Sequence, residues 1–195
     1  VSATVTPRRR VVINADDLGL SVLVNEGIEE AVRAGVVTSA SLMVNTPGFD
    51  DAVRRARALG GRLGVGLHFT LTTGRSVAPA AAVPSLLDGA GRFLPLGRLL
   101  RRALAGGVRP EEVRREADAQ LARLRAAGIV PTHADSHRHV HAFPAMRGAL
   151  AAAAAAAGVT VIRRPLEPLW ARPTGLAGIV KRALVAAAWA VPSRG

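Results

Sequence analysis

Two hydrophobic periods alternate along the chain. Residues 10–15 form a short apolar run rich in β-branched side chains, which predicts a strand buried on both faces. Two carboxylates, Asp16 and Asp17, follow it. Ser21 is a suitable N-cap for a helix reaching Ala34, with Val24, Ile28, Ala31 and Val32 at helical spacing and Gly35 just beyond the end. Residues 36–44 predict a second strand. Residues 50–59 predict a helix stopped by Gly60-Gly61, and residues 63–71 a third strand with His68 near its C-terminal end. Residues 72–97 are rich in Gly, Pro and Ala without clear periodicity, and a loop of that length is usually a lid or substrate wall.

A short helix is expected at 97–105. Pro110 suits the first turn of a longer one ending at Ala127, before Gly128. Residues 129–134 predict a fourth strand, Pro144 opens an Ala-rich helix to Ala157, and residues 159–163 predict a fifth strand. A Pro-rich loop at 164–175 and a helix at 176–190 complete the chain. Strands alternating with helices imply βαβ units and a parallel sheet or barrel, so the expected class is α/β. The length of 195 residues predicts a single domain, with residues 1–9 disordered and residues 176–195 a terminal helix and tail. In parallel α/β folds chemistry gathers at the C-terminal ends of the strands. The pattern puts Asp16, Asp17, His68 and His137 at such ends.

Composition narrows the chemistry. There is no cysteine, which excludes disulfides, thiolate metal sites and a cysteine nucleophile. Any metal must be held by His, Asp or Glu. The net charge is +12, carried almost entirely by arginine, with Lys181 the only lysine. That bias is read as codon composition, and the absence of Tyr argues against a base-stacking surface, so no nucleic-acid partner is expected. No secretory signal is apparent at the N-terminus, and the apolar run at 183–191 is shorter than the roughly 20 residues of a membrane span. The expected location is the cytoplasm.

Four of the five histidines, His133, His137, His139 and His141, fall within one short segment, and the fifth is His68. A hydrolytic metal site needs about three protein ligands and an open position, which one Asp and two His supply. Two adjacent carboxylates suggest divided roles, one ligand and one general base. If the strand continued, His137, His139 and His141 would share a face. A three-ligand site uses fewer than all of them, leaving others for substrate or support.

These residues also carry a family resemblance. The stretches Val12-Ile13-Asn14-Ala15-Asp16-Asp17-Leu18-Gly19-Leu20-Ser21, Val37-Thr38-Ser39-Ala40-Ser41-Leu42-Met43-Val44-Asn45, Gly64-Val65-Gly66-Leu67-His68 and Thr132-His133-Ala134-Asp135-Ser136-His137-Arg138-His139-Val140-His141-Ala142-Phe143-Pro144 resemble the YdjC-like carbohydrate deacetylases, in the family's order. Arg164-Pro165-Leu166-Glu167-Pro168 looks more like the hopanoid-biosynthesis branch. The resemblance implies an irregular (β/α) barrel related to polysaccharide deacetylases, and hydrolysis of the N-acetyl group of an acetylated amino sugar. It implies a divalent metal, Mg or Zn, on Asp17, His68 and His137, with Asp16 as general base. To this we add His141 as the acid, and Asn14 and His139 as substrate contacts.

The expected substrate is a chitooligosaccharide or a glycosylated hopanoid, with peripheral membrane contact and a homodimer as compatible associations. Leu18 stands where the family usually has Phe. Family members continue for several tens of residues beyond Gly195, so the barrel is expected to be incomplete at its C-terminal side. The competing expectations are a non-catalytic metal- or sugar-binding member, or a hydrolase of a different bond at the same site.

Overall fold

The computed structural model describes residues 11–166 and 175–192. Residues 1–9, most of the 164–175 loop, the Glu167-Pro168 end of the branch motif and the last residues of the tail lie outside the described residues. The order is β1 (Asn14–Leu18), α1 (Val22–Arg33), β2 (Ser39–Leu42), α2 (Phe49–Leu59), β3 (Gly64–Phe69), α3 (Leu96–Leu104), α4 (Pro110–Ala126), β4 (Ala134–Ser136), α5 (Pro144–Ala156) and α6 (Leu176–Ala190). The four strands pair in parallel in the order β1-β2-β3-β4. The α/β class is therefore as expected, and its parallel strands and covering helices agree with a (β/α) deacetylase-like architecture.

The helices follow their sequence signals. The Ser21 hydroxyl accepts from the Val24 N–H at the start of α1, Pro110 opens α4 and Pro144 opens α5. The strands differ more. β1 starts later than expected, so Asp16 and Asp17 lie within it rather than after it. The 129–134 run yields strand only at Ala134–Ser136, and the expected fifth strand is reduced to one parallel bridge, Ala134 with Ile162. Among the described residues the sheet stays open and does not close into a barrel.

Register explains where the core and the site lie. Ser41 pairs with Gly66, and His68 with Asp135. Side chains alternate across a strand, so Asn14, Ser39, Ser41, Gly66, His68 and Asp135 share one face. Ala40, Leu42, Val65, Leu67, Phe69 and Ala134 take the other, and they belong to the buried core on which the helices pack. The strands are thus polar on one face, not apolar on both as the run at 10–15 suggested. Gly66 makes room for this arrangement, since a Cβ there would fall 2.5 Å from the His133 ring.

The segment after β3 is not a loose loop. It contains two short 3₁₀ turns, Ala80–Ala82 and Pro84–Leu86, and buries Val83, Leu86 and Phe93. Buried polar groups of α4 anchor it through its backbone. Glu116 accepts the N–H groups of Val77 and Ala78 at 2.9 and 3.0 Å, and Glu112 that of Ser85 at 2.7 Å. Gln120 binds both backbone groups of Thr70. Burial raises the Glu116 pKa despite these donors.

Candidate metal centre

The site begins with a break in the ladder between β1 and β2. The register shifts between Ala15 and Leu18, and Asp17 adopts φ 64°. Asp is one of the few side chains that tolerate the left-handed region, and a bulge re-aims the residues it contains. Asp16 and Asp17 consequently serve two different groups of partners.

Asp17 Oδ1 lies between two imidazoles, 2.8 Å from His137 Nδ1 and 3.1 Å from His68 Nε2. The two rings meet edge to face with centroids 5.6 Å apart. Hydrogen bonds from His137 and then His68 outweigh the cost of burial and hold the Asp17 carboxyl far below the usual range. The other nitrogen of His68, Nδ1, donates to Asp135 Oδ1 at 2.7 Å. Burial of His68 opposes its charge, but the bonds to Asp135 and Asp17 prevail and raise its pKa to about 9.

Asp17, His68 and His137 each offer a donor atom within 4.8 Å of the others. One carboxylate and two imidazoles suit a borderline divalent ion. A carboxylate on the far nitrogen of His68 is the usual means of orienting a ligating imidazole. A proton held on His68 between two carboxylates marks the same excess of negative charge that a cation would neutralise. The residues therefore fit a divalent metal. Asp16, His68 and Asp135 form a second group of similar size. There, however, the Arg163 guanidinium already contacts both carboxylates, so the first group is favoured.

Asp16 faces Arg163. Nη1 of that arginine lies 2.8 Å from both carboxylate oxygens and 3.4 Å from Asp135 Oδ2. Asn14 Nδ2 also donates to Asp16 Oδ1 at 2.8 Å, and to Ser41 Oγ at 2.8 Å. Its carbonyl accepts from Ser39 Oγ at 2.7 Å. Asn14, expected at the substrate, thus has its amide committed within the protein and steadies Asp16. Ser41 donates to Asp135 Oδ2 at 2.8 Å. With its one proton used there, it accepts from His133 Nε2 at 3.2 Å. Burial lowers the His133 pKa, in keeping with a neutral ring.

The histidine segment does not continue as a strand. After Ser136 the chain enters a 3₁₀ turn, His137–Ala142, in which Arg138 and His139 take φ 57° and 55°. His137, His139 and His141 therefore do not share a strand face. His137 reaches Asp17. His139 Nδ1 is buried with no hydrogen-bond partner among the described residues. His141 is buried with both ring nitrogens engaged, Nδ1 to Ser136 Oγ at 2.5 Å and Nε2 to the Arg163 carbonyl at 2.9 Å. The acid role expected of His141 would require one of these nitrogens to be released. Burial drives its pKa down to about 4, and neither nitrogen is free to face a substrate.

Arg163, Asp135 and Ser41 were not singled out from the sequence as site residues. Asp135 carried a signal, lying two residues before His137 in a chain where His68 needed a carboxylate partner. Arg163 carried none, being one of many arginines.

The chain matches the family model for YdjC-like proteins over residues 10–192. It is 53% identical over 137 residues to a carbohydrate deacetylase of Brevibacillus brevis, covering 70% of this chain and 52% of that protein. It is 42% identical over 151 residues to a chitooligosaccharide deacetylase of Serratia marcescens, covering 76% and 57% respectively. A solved structure from Enterococcus faecalis, named for cellobiose-phosphate cleavage, superposes with a TM-score of 0.71 at 32% identity. That match covers 91% of this chain and 64% of the other. The chain spans about half the length of the curated relatives it matches.

Proposed function

The chain belongs to the YdjC-like family, and on that premise we propose that it hydrolyses the N-acetyl group of an acetylated amino sugar. The observation that carries this reading is the shared Asp17 oxygen between His68 and His137, with Asp16 beside it on the same bulge. Relatives named carbohydrate and chitooligosaccharide deacetylases support the substrate class.

Asp17, His68 and His137 would hold a divalent ion, Mg or Zn. Bound there, the ion would polarise the acetyl carbonyl and acidify a water molecule. Asp16 takes the proton of the attacking water at a carboxylate oxygen. Arg163 and Asn14 orient that carboxylate. Water oxygen bonds to the acetyl carbon, the C–N bond breaks, and the proton held on Asp16 passes to the leaving nitrogen. Acetate and a free amino sugar result. His139, whose Nδ1 has no hydrogen-bond partner among the described residues, would contact the sugar. Chitooligosaccharides are the first substrates to try, and a glycosylated hopanoid presents the same acetamido group.

The test is acetate release from N-acetylglucosamine oligomers by the metal-loaded protein. Asp16→Asn is expected to keep the metal and lose about 100- to 10,000-fold in turnover, the usual worth of a general base. His68→Ala and His137→Ala are expected to lose the metal by elemental analysis. Full activity in Asp16→Asn, or unchanged metal content in either histidine variant, would sink the corresponding role.

A further inference from the structure

Arg163 orients Asp16, yet little of its own backbone is held by the sheet. Its N–H donates to the Ala134 carbonyl at 3.0 Å, beside the single bridge of Ala134 with Ile162. Its carbonyl is held by His141. A carbonyl oxygen only accepts, so Nε2 of His141 carries the proton and donates to it at 2.9 Å. Nδ1 must then accept from the Ser136 hydroxyl, and Ser136 Oγ in turn accepts the His141 backbone N–H at 3.0 Å. The Trp189 ring packs edge-on against the imidazole, with centroids 6.1 Å apart. A ring so enclosed, 1% exposed and fixed in one tautomer, is built to hold a position.

We propose that His141 is a positioning residue: its Nε2–H bond to the Arg163 carbonyl fixes the guanidinium that orients Asp16, and it acts on the reaction only through that arginine. The proposal rests on the reading of Asp16 as the base. Protonating Nδ1 would displace the Ser136 donor, so the ring offers no proton for transfer. The arrangement ties the turn after β4 to the segment at 161–163, and so couples the histidine segment to the base across the sheet.

The test compares two substitutions. His141→Phe keeps the ring volume and the Trp189 contact but removes the donor, whereas His141→Gln retains a terminal N–H of similar reach. In Phe, kcat is expected to fall about 10- to 100-fold with KM little changed, the usual cost of losing a supporting hydrogen bond. Gln is expected to recover most of that loss. The pH–rate profile keeps its wild-type shape in both. His141→Phe combined with Arg163→Ala is expected to cost no more than Arg163→Ala alone. Additive losses, or a limb of the pH profile missing in Gln, would overturn the proposal in favour of direct proton transfer.

A crystal structure of His141→Phe gives a readout that needs no turnover. Arg163 is expected to leave Asp16, and a guanidinium still seated on both Asp16 oxygens would overturn the role. Should Phe not fold, Gln and Arg163→Ala still support the pH-profile comparison. Wild-type protein that releases no acetate would sink the deacetylase reading alone, leaving the crystallographic result to decide the positioning role of His141.

Discussion

In the ion-free protein His68 is an imidazolium held between Asp135 and Asp17, with its pKa raised from 6.5 to about 9. A group whose pKa rises on folding stabilises the fold below its unfolded value and loses that contribution as pH climbs through the folded value. Ion-free protein is therefore expected to lose thermal stability between pH 6.5 and about 9. Metal-loaded protein should show less of this loss, because the ion replaces the proton. Melting curves with and without a chelator check it, and identical pH dependence in the two states would refute His68 as a ligand. The same competition predicts that apparent metal affinity rises with pH over this interval. At this scale residue type and position marked Asp17, His68 and His137 as candidates, the family resemblance grouped them, and their donor atoms lie together. The sequence could not show whether a polar side chain still has a free donor. That is why Asn14 and His141 were read as substrate and acid groups, although the protein itself consumes their hydrogen bonds.

The elements owe their boundaries to different physics, and were legible to different degrees. Helix ends are set locally, by Ser21, Pro110 and Pro144 and by the glycines after α1 and α4, so they could be read directly. Strand extents depend on partners far along the chain. β4 is cut to three residues by the left-handed pair Arg138 and His139, and β1 is bent by the bulge at Asp16 and Asp17. Neither event has a period to detect. Gly19 shows how tightly the bulge is held. It sits at φ 92°, and a Cβ there would lie 2.6 Å from the Met43 carbonyl oxygen. Gly19→Ala is expected to destabilise the protein by about 1–3 kcal/mol through strain and overpacking. Because the strain falls next to Asp17, weaker metal binding is expected as well. Calorimetric melting and a metal titration measure both, and wild-type values would mean that the backbone relaxes freely there.

At the scale of the molecule, an α/β sheet with its chemistry at the strand ends was legible because helix and strand periods alternate. The division of the sheet into an apolar and a polar face was less so. Its trace was the recurrence of Ser39, Ser41, Gly64 and Gly66 among larger apolar residues, which an overall count of hydrophobicity conceals. Among the described residues no helix is long and apolar enough to cross a membrane. The anchoring of the segment after β3 has a further consequence. Glu112, Glu116 and Gln120 hold it through backbone groups of Thr70, Val77, Ala78 and Ser85. Pro79 and Pro84 fall between the anchored N–H groups and not on them. Val77→Pro is accordingly expected to cost at least about 1–3 kcal/mol by orphaning part of Glu116. Changes at exposed Ala80 should stay within about 0.5 kcal/mol. Equal losses at both positions in denaturant melts would contradict this. A clamp that grips only backbone leaves the exposed positions of the segment free to vary, provided the apolar residues Val83, Leu86 and Phe93 stay in the core, so its outer face could be rewritten without disturbing the strand that carries His68.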